Sequence, residues 1–228
     1  MSTVEGTAPI AEVLRVGSRE VSGVARSEEQ NRLARERTRE GILRSAIELF
    51  AEQGVHETTI AEITRSAGVA QGLVNYHFGG KDQLVGAVAD RWYETLIGLA
   101  HGQGAPGEMD ADARLRGVID AALIAAVAHR SLQRVMLSLA HQPSTRRIVA
   151  ESEQRHSDAV QFAEQAVRSI FAERGAADPA LEEGMLRTLL EGIAGRYAAS
   201  DGSFPIDAAR RWVHLRYGLG DPVGALPA

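Results

Sequence analysis

Residues 58–78, TTIAEITRSAGVAQGLVNYHF, constrain the fold more than any other part of the chain. The pattern predicts two short helices joined by a tight turn at Gly68. A threonine hydroxyl at Thr58 or Thr59 caps the first helix, whose opening N–H groups lack carbonyl partners. Ile60, Ile63 and Ala67 fall on one side of it, and small Ala67 and Gly68 permit a sharp change of direction. The second helix is expected to begin near Ala70 and to turn Val69, Leu73, Val74 and Phe78 inward. Its other face carries Gln71, Asn75, Tyr76 and His77, all uncharged polar or aromatic. A helix-turn-helix offers such a second helix to the DNA major groove. A side-chain amide pairs bidentately with adenine, so Gln71 and Asn75 are candidate base readers.

A longer pattern surrounds this pair. It comprises Ile42, Ala46, Leu49, Phe50 and Gly54, then Thr58-Thr59, Ala67-Gly68-Val69 and Gly72. It ends with Tyr76-His77-Phe78 and Lys81-Asp82-Gln83-Leu84. From about Arg35 to Leu84 the chain resembles the TetR family of bacterial transcriptional regulators. The resemblance implies an all-α protein in which a three-helix DNA-binding unit precedes a helical bundle for effector binding and dimerisation. With the amide face, it gives Thr58, Thr59, Gln71, Gly72, Asn75, Tyr76, His77 and Lys81 as the expected DNA-contacting set. Two positions depart from the family pattern. Ala70 stands where a capping Ser or Thr is common, which weakens the start of the reading helix. Asn75 stands where Tyr is usual, which implies an altered backbone or base contact.

Composition bounds the remaining possibilities. A chain of 228 residues with 44% hydrophobic and 24% charged residues fits one large or two small globular domains. No apolar run approaches the roughly 20 residues that span a bilayer, and residues 1–20 lack a signal-peptide pattern. With no cysteine, thiolate metal sites and cysteine nucleophiles are excluded. A cytoplasmic location without membrane contact is the expectation. The net charge of −5 lends no support to general nucleic-acid affinity, which comes mainly from neutralised phosphates. The motif alone carries the DNA reading.

The expected organisation is a flexible tail over 1–27, a helix-turn-helix domain over 28–80, an effector and dimerisation domain over 81–220, and a short tail over 221–228. About nine helices account for this, with no strand pattern and no internal repeat. In the leader, Arg15, Arg19 and Arg26 either reach a minor groove or belong to a solvated segment. Helix one is expected from about Glu28 to Gln53, stopped by Gly54 as a left-handed cap. Helix breaks fall at Gly79-Gly80, 102–107, His129–Ser131, Pro143-Ser144 and 175–178. Ser144 is expected to cap the following helix, and Asp178 with Pro179 to open the next.

Lys81, the single lysine, opens a helix directly after the reading helix. The resemblance implies a phosphate contact there, and a helix start favours anions. Gly79-Gly80-Lys81 lacks the spacing, the Ser or Thr and the preceding strand of a nucleotide-binding loop. Tyr76 and His77 either bond phosphates or pack beneath the helix. Gly72 suits close approach, to DNA or to the first helix of the pair.

In the bundle, Ser152, Arg155 and His156 interrupt an apolar stripe. Buried polar groups are costly unless paired or lining a wet or ligand-filled cavity. The candidate pocket set is Trp92, His129, Arg130, Arg134, Met136, Ser152, Arg155, His156 and Gln161. The alternative is a surface face in a different helical phase. The segment 189–197 is apolar on more than one face, with Gly192 and Gly195 permitting close helix approach. Leu186, Leu189, Leu190, Ile193, Tyr197 and Trp212 are the candidate dimer contacts, unless the helix is central to the monomer's own core. Similar segments lie near the dimerising helices of TetR-type regulators. No metal-ligand spacing, nucleophile elbow or dinucleotide fingerprint is present, so no metal, cofactor or catalysis is expected.

The sequence thus points to a homodimeric repressor released from double-stranded operator DNA by a small-molecule effector. The alternatives are a TetR-type regulator without a small ligand, activating or answering to a protein partner, and a helical enzyme or scaffold.

Overall fold

A computed structural model describes residues 10–101, 109–200 and 203–226, with side chains described from residue 28 and through residue 99 in the first of these stretches. Nine helices are found among the described residues, and no strand. They are α1 (Ile10–Gln53), α2 (Ile60–Ala67), α3 (Gly72–Phe78), α4 (Lys81–His101) and α5 (Ala111–Ala128). Then follow α6 (Arg130–His141), α7 (Arg146–Glu173), α8 (Pro179–Ala199) and α9 (Ile206–Arg216).

α1 starts at Ile10, not near Glu28, so residues 10–27 continue a helix where a tail was expected. The leader's polar composition suggested a tail, yet no proline interrupts residues 10–53, so a helix nucleated in the buried part of α1 can propagate through it. Residues 1–9, and the side chains of Arg15, Arg19 and Arg26, lie outside the described residues. From 28 to 37 every residue is exposed. The helix becomes buried only where Ile42, Leu43, Ala46 and Phe50 form its inward stripe.

Two apolar clusters hold the molecule. The first joins that stripe to Ile63 and Val74, to Leu84–Ala89 at the start of α4, and to Leu132, Val135, Met136 and Leu139 of α6. It therefore crosses the expected boundary at residue 80, and the helix-turn-helix shares its core with the bundle. A bidentate pair between Arg91 and Glu40 (2.6 and 2.9 Å) fastens α4 to α1 on the outside. The Arg91 bonds hold the Glu40 carboxyl below its usual range against the opposing effect of burial.

The second cluster packs α5, the end of α7, α8 and α9 around Ile119, Leu123, Phe171, Leu186 and Val213. α9 is pinned to α5 by Asp120, which accepts from Arg210 (2.7 and 2.9 Å) and pairs with His214 Nε2 (2.7 Å). Arg210 also donates to the carbonyl of Gly224 (2.9 Å), strapping the carboxy-terminal segment across α9.

Helix ends follow local chemistry. Asp110 caps α5 through the Ala113 N–H (2.7 Å), and Asp178 caps α8 through the Leu181 N–H (3.0 Å) with Pro179 in the first turn. Ser144 does not cap α7. Thr145 occupies that position with its hydroxyl donating to the Leu139 carbonyl (2.7 Å), while Ser144 Oγ bonds His56 Nε2 (2.9 Å).

Candidate DNA-reading surface and effector cavity

The reading unit is built from caps inward. Thr59 and Glu62 form a reciprocal capping box on α2: Thr59 Oγ1 accepts from the Glu62 N–H (3.2 Å), and Glu62 Oε2 accepts from the Thr59 N–H (2.8 Å). Gly68 ends α2 at φ 68°, a left-handed conformation that a side chain would strain. α3 starts at Gly72, later than expected. Gln71 sits at its cap in helical conformation with no side-chain cap bond, as an alanine at 70 leaves the start unassisted. Val74 is fully buried and Leu73 and Phe78 half-buried, while Gln71, Gly72, Asn75 and Tyr76 are exposed opposite them. Tyr76 is 66% exposed, unusual for a large aromatic with no partner to cover it.

His77 is half-buried, and burial, then the charges of Arg39 and Arg35, hold its ring below the usual histidine range. It is therefore neutral at pH 7. Lys81 Nζ donates to the His56 carbonyl (3.2 Å), which fixes the ammonium at the start of α4 with further donors free. Arg35, not singled out in the sequence, borders a groove with Tyr76 and His77.

Two expected contacts change role. Thr58 is fully buried, and its hydroxyl donates to the Gly54 carbonyl (2.7 Å). It ties the end of α1 to the start of α2, and no atom of its side chain reaches the surface. At Gly72 a Cβ would meet nothing within 4 Å, so close packing on α2 does not explain the glycine.

A cavity of about 640 Å³ lies among α4, α5, α7 and α8, with Gln133 of α6 at its edge. Trp92, His129 and Gln161 line it; the other six candidates do not. Met136 is buried in the first core, and Arg130 and Arg134 are half-buried elsewhere on α6. Ser152, Arg155 and His156 turn toward α4. Ser152 Oγ and Arg155 Nη2 both bond Asp90 Oδ1 (2.6 and 2.7 Å), and the His156 ring stacks on Tyr93 at 5.5 Å. Their polarity pairs α7 with α4, where Gly86 lets Ile148 approach.

The lining that the sequence reading missed lies on α8. Glu183, Arg187 and Glu191 recur every four residues beside Leu186, Leu190 and Ala194, one face half apolar and half charged. That spacing was the available signal. Glu183, 3% exposed, pairs with Arg187 (3.0 Å) and Arg168 (3.4 Å), and Glu164 pairs with the same two arginines (3.6 and 2.9 Å).

The proposed dimer set divides. Leu186, Leu190 and Ile193 are buried within one protomer, so they cannot supply a two-fold contact. α8 is apolar on several faces because α5, α6, α7 and α9 all pack on it, and Gly195 admits Leu137 of α6 at 3.6 Å. Leu189 and Tyr197 are half-buried. Trp212 is 56% exposed, and Leu215 on α9 with Leu181 and Met185 on α8 share that exposure. Thr188 and Gly192 continue the exposed stripe of α8.

A capped helix-turn-helix head fused through one core to a hollow helical bundle defines the class. Residues 42–88 match the profile of bacterial regulatory proteins of the tetR family. An HTH-type transcriptional repressor of Mycobacterium tuberculosis is 45% identical over 75 residues, which cover 33% of this chain and 39% of that protein. The chain thus matches about two fifths of the length of its curated relatives. Two solved structures share the fold over most of the chain. The fatty acid degradation regulator FadR of Bacillus halodurans superposes at TM-score 0.65 with 19% identity, covering 81% of this chain and 97% of that one. The SmeT–triclosan complex gives 0.62 with 23% identity, covering 84% and 97%. By its head, the chain is similar to the tetR family of bacterial regulatory proteins. No described helix is long and apolar enough to cross a membrane.

Proposed function

We propose that this protein is a homodimeric, sequence-specific repressor of the cytoplasm, released from its operator by a small molecule, and not an enzyme. The observation that carries this is the exposed face of α3, where Gln71, Asn75 and Tyr76 stand clear of the protein on a helix whose other side is locked into the core. Amides there suit base edges, and Lys81 and His77 flank them as donors for phosphates, while the Thr59 hydroxyl and N–H are both given to Glu62. Two such helices must lie about 34–36 Å apart to enter successive major grooves, which calls for a rigid symmetric pair. The exposed apolar faces of α8 and α9, which carry Met185 and Trp212, suit that pairing.

α4 supports the coupling. Its first turns are buried in the core of the head, and its later residues Trp92, Tyr93 and Leu96 line the cavity. A ligand that fits best when α4 is displaced favours a state with wrongly spaced heads, and operator affinity falls by the same coupling free energy. The triclosan-bound structural relative is in keeping with a bundle that accepts a small molecule.

The test is selection of genomic fragments by the purified protein, followed by footprinting. A protected, near-palindromic site with half-sites one helical turn apart is expected. Fragments recovered without any common sequence would overturn the reading.

A further inference from the structure

The lining of the cavity specifies a charge. Four carboxylates border it, those of Glu153, Glu164, Glu183 and Glu191, against one guanidinium, that of Arg187. Glu164 and Glu183 are satisfied by Arg187 and by Arg168 behind it, so that quartet is neutral. Glu153 and Glu191 have no cation within ion-pair distance among the described residues. The cavity therefore has two carboxylates without an ion-pair partner, both on residues that also reach solvent, beside walls of Leu96, Val118, Val160 and Leu190. Gln133 adds a neutral polar group to the lining. It is 5% exposed and borders the cavity, yet its side-chain amide has no hydrogen-bond partner among the described residues. Its amide atoms are not among the sealed-off unpartnered polar atoms of the protein, so they stay open to the cavity, where a ligand's polar group can bond them.

From this, and resting on the effector reading above, we propose that the cavity takes an apolar organic cation, an amine or ring-nitrogen base with a hydrocarbon body. The ammonium faces Glu191 and the Gln133 amide oxygen, and the hydrocarbon fills the space between α4, α5 and α7. The Trp92 ring, which also lines the cavity, is a further face that can receive a cation. Burial, reinforced by Glu183 and opposed by Arg187, raises the Glu191 carboxyl above its usual range, and an arriving cation relieves that strain. Anionic amphiphiles meet the same carboxylates as repulsion.

Calorimetric titration of the full chain with decylamine, decanol and decanoate, kept below self-association, separates charge from hydrocarbon. Decylamine should bind at least tenfold more tightly than either of the others. Glu191→Gln should narrow the gap between decylamine and decanol at least threefold, with melting followed by circular dichroism as the check on folding. Glu191→Lys should turn the preference toward decanoate. Decanoate binding wild type as tightly as decylamine, or a preference unmoved by both variants, overturns the proposal. If decanol or decanoate binds best and releases operator DNA, the effector reading stands and only the cation is wrong. If none of the three binds, both the cation and the cavity fail, while DNA reading by α3 is untouched.

Discussion

Replacing Asp120 by Ala removes the acceptor on which α9 depends. Arg210 is 5% exposed and His214 fully buried, and the carboxylate between them takes two guanidinium bonds and one imidazole bond. Breaking a buried pair by deleting one partner costs about 3–5 kcal/mol, because the remaining charge stays buried. Arg210 keeps the Gly224 and Val223 carbonyls, which places the loss at the lower end, about 3 kcal/mol. With a urea slope of about 2–3 kcal/mol per M, the midpoint should fall by about 1–1.5 M at fixed protein concentration. The double replacement Asp120→Leu with Arg210→Met should recover part of that, since no charge is left unpaired, while the buried His214 ring still lacks its acceptor. The pH dependence has a definite sign. Burial pushes the Asp120 carboxyl up, but bonds from Arg210 and His214 prevail and leave it below its usual value. The stabilisation is thus present above the ordinary carboxylate range and lost as pH falls through the lowered folded value. A midpoint shift under about 0.3 M urea for Asp120→Ala, where about 1 M is expected, would refute the strut.

Three further outcomes test the functional surfaces. Gln71→Ala or Asn75→Ala should cost about 1–3 kcal/mol on the operator and relax preference at particular base pairs, measured by competition with substituted sites. Lys81→Ala should weaken operator and random DNA alike and flatten the salt dependence by roughly one charge; a sequence-selective loss would contradict a phosphate role. Met185→Glu with Trp212→Glu should give a folded monomer by sedimentation, whereas Ile193→Asp, buried in the protomer core, should unfold the chain.

The head was readable because its signals are local. A threonine at a helix start, a glycine at a tight turn and an amide-bearing exposed face need only neighbours a few residues away. Asp178 and Pro179 marked a helix start for the same reason. The bundle depended on facts that periodicity does not carry. Ser152, Arg155 and His156 interrupt an apolar stripe whether they face a cavity or a partner, and only the position of Asp90 on α4 shows which. Leu190 and Ile193 look alike as interface or as core until the four helices packed around α8 are known. Thr58 illustrates a narrower limit, since two adjacent threonines compete for one cap and the loser's hydroxyl turns inward. The start of α1 was misplaced because composition measures what a segment can bury, whereas a helix already nucleated extends until something stops it.

The most direct test is the ratio of affinities for a selected operator and for a scrambled duplex of the same length, measured across a salt series. Reading by the α3 face predicts a ratio of about 10³ or more at physiological salt, with both affinities falling as salt rises. A ratio near one at every salt concentration would contradict it.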